Sequence, residues 1–267
     1  MEISTKATTL SQHGIDKRYQ KAIQKHDYIK QIPLPCVMMI VGSSGSRKTS
    51  FMLTLLKDLQ ESSRYFDVIL LYSGSMDTNE QFESFNTKKT EVKALNDFND
   101  SEFQKFISEV EKINMQRKED KRKLMNVAVI FDDPVSIPGL KMGTAQRPSA
   151  IDRLCTTCRH FNISLFYLIQ RYRLMNMVMR GTNLTHLVLL GIKPKELDQI
   201  AEEHSYELVD NDEFKEIYND IRNEGDNNFM VVNYKVGKIN RMQQNFVPYV
   251  DVLKTKNILR DDDEDDE

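Results

Sequence analysis

Three short stretches of this chain carry residues whose types and spacing could act on a phosphate. The first is Gly42-Ser43-Ser44-Gly45-Ser46-Arg47-Lys48-Thr49-Ser50. It follows the P-loop pattern G-x-x-x-x-G-K-[ST], with Arg47 standing where the second glycine belongs. In such a loop, backbone N–H groups and the positive end of a helix dipole face an anion. Lys48 would reach the β- and γ-phosphates of ATP, and the Thr49 hydroxyl would ligate Mg²⁺. The whole run from Gly42 to Ser50 is the candidate nucleotide-binding set. Arg47 has two readings. Its backbone N–H, held in a helical conformation, serves where glycine would, with the guanidinium adding charge near the phosphates. Alternatively its side chain obstructs the hollow and hydrolysis is weak. A plain Ser/Gly turn joining a strand to a helix is the alternative with no chemistry in it.

The second stretch is Asp132-Asp133, which follows the apolar run VAVIF and precedes Pro134. A carboxylate there matches Walker B, which orders Mg²⁺ near Thr49, and Asp133 takes the place of the residue that orients an attacking water. An Asp pair opening a turn is the competing reading. The third is Gln170, closing the run Ile163 to Ile169, where it could sense a γ-phosphate or position water. Arg153 and Arg159 lie between the second and third stretches. Either could reach a neighbouring subunit as a finger acting in trans, or form a surface salt bridge.

These groups need a scaffold. Cys36 to Val41 is a continuous apolar run, as a strand buried on both faces requires. Met52, Leu55, Leu56 and Leu59 then recur at helical spacing. Further strands are expected at Phe66–Tyr72, Val127–Phe131, Ile163–Ile169, His186–Gly191 and Phe229–Val236. Ser101 with Gln104 reads as a capping box, opening a helix with Phe103, Phe106, Ile107, Val110 and Ile113 on its apolar face. Ser149 with Asp152 reads as the cap of the next helix. Helices from Pro194 to His204 and through Phe214, Ile217, Tyr218 and Ile221 come later. Strands alternating with helices predict an α/β fold, a mostly parallel central sheet with helices on both faces. Ligands of such sheets sit at the carboxyl ends of strands, where all three stretches fall.

The chain has 267 residues and a net charge of −3. Seven acids form the tail Asp261 to Glu267, so the body is net positive at +4. A basic polar N-terminal arm (1–32), an ATPase domain (33–258) and an acidic disordered tail (259–267) are expected. No apolar run approaches the ~18 residues of a membrane helix. The first twenty residues lack a signal-peptide pattern, so an intracellular protein is expected. Cys155 and Cys158 form a lone C-x-x-C without a second ligand pair, and packed reduced thiols are expected rather than a metal.

The chain resembles the FtsK–HerA superfamily, and within it the poxvirus-type genome-packaging ATPases of large DNA viruses, virophages and Polinton-like elements. The resemblance runs from about Pro35 to Gly191. It rests on IVGSSGSRKTS, VIFDD, and CRHFNISLFYLIQRY followed by RGTNLTHLVLLG. It implies a P-loop NTPase in which Lys48 and Thr49 hold nucleotide and Mg²⁺, Asp132 is the Walker B acid, Asp133 its catalytic neighbour, Gln170 the sensor and Arg159 a finger. It also implies a homo-oligomeric ring that pumps double-stranded DNA, without sequence preference, into a preformed viral capsid. The protein would then work in host cytoplasm or viral factory, and could enter the virion. Lys141, Arg147 and the charged run 117–123 are candidate DNA contacts. Two alternatives stand beside the motor: another P-loop ATPase of AAA+ or helicase type, and a nucleotide-binding scaffold whose turnover Arg47 has weakened.

Overall fold

A computed structural model describes residues 17–141, 143, 149–181 and 183–249. The chain enters through α1 (Lys17–Lys25) and a 3-10 turn (Asp27–Gln31), then forms β1 (Val37–Val41) and α2 (Lys48–Ser63). β2 (Val68–Ser73), α3 (Met76–Glu83), β3 (Glu91–Leu95) and α4 (Asp100–Glu119) follow. Next come β4 (Val127–Asp132), α5 (Ala150–Thr157), β5 (Ile163–Ile169), α6 (Met177–Arg180) and β6 (His186–Leu189). The last elements are α7 (Pro194–His204), α8 (Asn211–Asn223), β7 (Met230–Asn233), β8 (Met242–Gln244) and β9 (Val247–Pro248).

The strands make one sheet in the order β3-β2-β4-β5-β1-β6-β7-β8-β9. Pairing is parallel from β3 to β6 and antiparallel from β6 to β9. The expected mostly parallel sheet is therefore present, with an antiparallel extension. Alternation of side chains across a strand divides the core in two. Val37, Met39 and Val41 of β1 face α4, α5, α7 and α8, while Met38 and Ile40 face α1, α2 and α3. β4 and β5 divide in the same way, so helices cover both faces. Every residue of β1 and β5 is buried, as their unbroken apolar runs predict.

Met52, Leu55, Leu56 and Leu59 are the buried stripe of α2. Within the 1–32 segment, residues 17–32 pack on this helix face and bury Ala22, Ile29 and Ile32. The acidic tail lies outside the described residues.

Several local expectations are corrected. Asn99, not Ser101, caps α4: its side chain accepts the N–H groups of Ser101 at 3.0 Å and Glu102 at 3.2 Å. The helix starts earlier than the Ser101–Gln104 pattern suggests, and Ile113 faces solvent. The Ser149–Asp152 pair, by contrast, forms a reciprocal capping box. Arg159 sits on a 3-10 turn (Cys158–Phe161) rather than on α5. Strands β3, β8 and β9 have no counterpart in the sequence reading. The strand expected at Phe229–Val236 shortens to β7, because the Asn233 side chain accepts the Lys235 N–H at 2.9 Å and turns the chain. After α7 and α8, β7 returns to the sheet beside β6, rather than the chain ending in a helical lid.

Candidate active site

β1 delivers the chain to the loop, and neighbouring strands fasten it. Gly42 N–H donates to the Ile169 carbonyl at the end of β5, at 3.1 Å. Ser43 donates both its N–H and its hydroxyl to Gly191 beyond β6, each at 2.9 Å. A Cβ on Gly42 would lie 2.2 Å from Ser46 Oγ, so glycine there lets the loop close on itself. Lys48 opens α2 and is 8% exposed. Its ammonium bends back over the loop and donates to the carbonyls of Gly42 at 2.9 Å and Ser43 at 3.1 Å. Burial pushes its pKa below the usual lysine value, against the opposing pull of the Asp132 and Asp133 charges. Thr49, half-buried, and Ser50, exposed, follow on the same first turn, with Ser44 and Gly45 exposed on the loop crest.

Arg47 takes a left-handed conformation, φ 69° and ψ 26°, not the helical one considered from sequence. Its guanidinium donates to the Asn227 side chain, on the loop between α8 and β7. Backbone and side chain therefore part company. The backbone adopts what a glycine would adopt freely, and the side chain is engaged by Asn227. Arg47 supplies no side-chain cap to α2. The first N–H groups of that helix have no intrahelical acceptor, which suits an anion.

β4 ends on Asp132, whose register partners are Ser73 on β2 and Leu168 on β5. Burial raises the Asp132 pKa above the ordinary carboxylate value. A hydrogen bond from the Thr78 side chain, the charge of Lys48 and a hydrogen bond from Ser73 oppose the rise, and the nearby Asp133 charge adds to it. Asp133 is held in the left-handed region, φ 49° and ψ 64°, by its N–H to Leu168 O at 2.8 Å. Such a conformation in a non-glycine residue costs on the order of 1–3 kcal/mol and clusters at functional sites. Gln170 Nε2 donates to Asp133 Oδ2 at 3.2 Å. Asp133, Val135, Ser136, Gln170, Arg171 and Leu174 line much of a cleft of about 320 Å³ beside this pair.

One rim of the sheet thus gathers the residues Gly42–Ser50, Asp132, Asp133 and Gln170. Arg159 is not among them. It precedes β5 whereas Gln170 follows it, so the two lie about 20 Å apart along a strand rising ~3.3 Å per residue. Arg153, in the first turn of α5, and Arg159 are both exposed. Lys141 is exposed, Arg147 lies outside the described residues, and the 117–123 run is mostly exposed at the end of α4 and the turn after it. Cys155 and Cys158 are buried thiols, with Cys155 Sγ 3.0 Å from the Tyr167 hydroxyl. Sequence reasoning assigned no site role to Ser73, Asn227 or Gly191, the last residue of RGTNLTHLVLLG; each acts through a contact far along the chain.

The donor set fits a magnesium nucleotide. A buried ammonium and uncapped helix N–H groups suit the phosphates; a hydroxyl and a half-buried carboxylate suit a hard cation. With β5 standing between β1 and β4, the loop and the acid pair define a P-loop ATPase in which an additional strand separates the two motifs. The chain belongs to the poxvirus A32 protein family, whose model matches residues 24–246. No curated protein matches the sequence. The fold is similar to that of B204, the DNA-packaging ATPase from Sulfolobus turreted icosahedral virus, with 13% identity and a TM-score of 0.58 over 79% of this chain and 96% of that one. It is also similar to the genome packaging NTPase B204 from Sulfolobus turreted icosahedral virus 2 in complex with AMPPCP, with 13% identity and a TM-score of 0.52 over 78% and 96% of the two chains. The ATP-gammaS complex of that protein gives 14% identity and a TM-score of 0.50 over 78% and 95%.

Proposed function

We propose that this protein is an ATP-driven motor that moves double-stranded viral DNA into a preformed capsid, working as a ring of identical copies. The observation that carries the reading is the convergence of Lys48, Asp132, Asp133 and Gln170 on one sheet rim, in a chain of the poxvirus A32 protein family. The B204 proteins, described as DNA-packaging or genome packaging enzymes, share the fold and support the choice of cargo.

On ATP binding, Lys48 exchanges its two carbonyl acceptors for β- and γ-phosphate oxygens, and the open N–H groups of α2 receive the rest of the charge. Thr49 and Asp132 are the residues that would hold Mg²⁺, which when bound offsets charge on the phosphate oxygens. Asp133 accepts a proton from the attacking water, and Gln170, hydrogen-bonded to Asp133, orients that water. Arg159, too far to serve its own site, acts in the site of a neighbouring subunit. Lys141, Arg147 and the 117–123 run contact the DNA backbone. Residues 33–258 form the ATPase domain, the 1–32 segment is an N-terminal addition to it, and 259–267 is an acidic extension. The site of action is the host cytoplasm or viral factory, with the virion as a further location. No described helix is long and apolar enough to cross a membrane.

Steady-state ATP hydrolysis with and without duplex DNA tests the proposal. Stimulation by DNA of any sequence, falling steeply between about 50 and 200 mM salt, is expected. Tight nucleotide binding without turnover would replace the motor with a scaffold. Salt-insensitive stimulation by one sequence only would remove the packaging reading.

A further inference from the structure

The rim of the sheet opposite the phosphate loop gathers cations. Strands β1 to β6 are parallel, so the segments leading into them share that rim. The antiparallel β7 ends there too, with Asn233 level with His186. Lys121, Arg122 and Lys123 precede β4, Arg159 precedes β5 and Lys235 follows β7, and all are exposed. None of these cations pairs with a carboxylate among the described residues. The acids nearby are engaged: Asp67 accepts from Arg18 at 3.0 Å, Asp120 from Gln116 at 3.1 Å, and Glu207 pairs with Lys238. The Lys235 pKa is lowered, first by burial and then by the Arg159 charge, so like charges are held close together. An anion that bridges such charges offsets their repulsion.

The chain carries a polyanion of its own. Residues 261–267 are all Asp or Glu, −7 in a molecule whose remaining charge is +4. Blocks of like charge of this kind often serve as interaction tails. β9 pairs antiparallel with β8, Pro248 level with Gln243 and Val247 with Gln244, so the last described strand runs toward the cationic rim. The segment 250–260 then separates Tyr249 from the acids. Extended, it spans up to about 36 Å. From β9 to β4 the rim crosses six strand spacings, about 29 Å in all. The tether is long enough to bring the acids to Lys235, Arg159 and Lys121–Lys123.

We propose that the acidic tail docks on the basic rim of its own chain, opposite the phosphate loop, as an internal polyanion. The 117–123 run and Arg159, given to DNA and to a neighbouring site in the motor reading, are then covered until the tail is displaced. The docking itself involves no nucleotide.

The test is zero-length carbodiimide cross-linking of the full chain, without nucleotide or DNA, with the linked peptides mapped by mass spectrometry. The reagent joins a carboxylate to an amine in contact with it. Lys193 and Lys195, exposed on the nucleotide rim, serve as the comparison. Tail links to Lys121, Lys123 and Lys235 are expected to exceed links to that pair by about tenfold at ~20 mM salt, and to fall severalfold at ~500 mM. Arg122→Gln with Arg159→Gln removes charge from the rim but none of the reacting amines, and is expected to lower the rim links by about threefold. The salt comparison needs no variant and decides the matter if the double variant does not fold. Equal yields on the two rims, yields indifferent to salt, or unchanged links in a folded double variant overturn the inference. So do links found mainly between ¹⁵N-labelled and unlabelled copies in a mixture, which would put the tail on a neighbouring copy. An absence of rim links overturns it as well, and leaves the rim to an external polyanion such as duplex DNA.

Discussion

Arg47 shows how one residue can break a motif while its backbone keeps a conformation that glycine adopts freely. Its left-handed backbone costs roughly 1–2 kcal/mol in a residue with a Cβ, while its side chain is drawn off to Asn227. Arg47→Gly removes the strain but loosens the unfolded chain, which returns about 0.5–1 kcal/mol of the gain. The variant should be more stable by about 0.5–1 kcal/mol in urea unfolding, with nucleotide affinity little changed. A loss of stability would mean that the Asn227 contact outweighs the strain. At Asp133 the expected effect is kinetic. Asp133→Asn keeps an acceptor for Gln170 but cannot take a proton, so kcat should fall by about 10²–10⁴ with nucleotide binding retained. An unchanged kcat would remove Asp133 from the chemistry. Lys48, Thr49, Asp132, Asp133 and Gln170 were readable because each sits at a fixed offset from an apolar run. Ser73 was not. A hydroxyl at the end of a strand carries no such signal until β2 and β4 pair and bring it to Asp132.

Elements were legible in proportion to how completely they are buried. β1, β4 and β5 are apolar on both faces and stand out as runs. β3 is an edge strand with Glu91, Lys93 and Leu95 exposed and only Val92 and Ala94 turned inward, too short an alternation to separate from a loop. β8 and β9 are short, and β8 is polar in two of three positions. The α4 cap teaches the same lesson at a helix end. Ser101 and Gln104 satisfy the capping pattern, but Asn99 comes first and accepts two N–H groups. Asn99→Ala should therefore cost about 1 kcal/mol, and Ser101→Ala only a few tenths, in thermal or urea unfolding. Equal losses would return the cap to Ser101.

Across the whole molecule, two buried histidines set an acid limit on stability. His186 on β6 and His204 at the end of α7 are both pushed down to about 4, mainly by burial. His186 Nε2–H donates to the Gln31 carbonyl at 2.8 Å, joining the N-terminal segment to the sheet, and His204 lies between the Tyr172 and Tyr234 hydroxyls. Unfolding lets each take a proton at its ordinary value of 6.5. Their contribution is therefore fully present above about pH 6.5 and is lost as pH falls toward 4, by up to about 3 kcal/mol each. Urea unfolding should show that decline beginning below pH 6.5, and His186→Gln with His204→Gln should flatten its upper part. A decline starting only near pH 4.5 would place it on carboxylates instead. The sequence alone determined the alternating architecture, the phosphate loop and the acid pair, because burial on both faces and ligand-facing turns each restrict residue type locally. Tertiary structure decided that β5 separates the loop strand from the acid strand, that Arg47 pairs with Asn227 and that Ser73 reaches Asp132. Strand order and contacts between distant segments arise from packing the finished elements, and no local spacing records them.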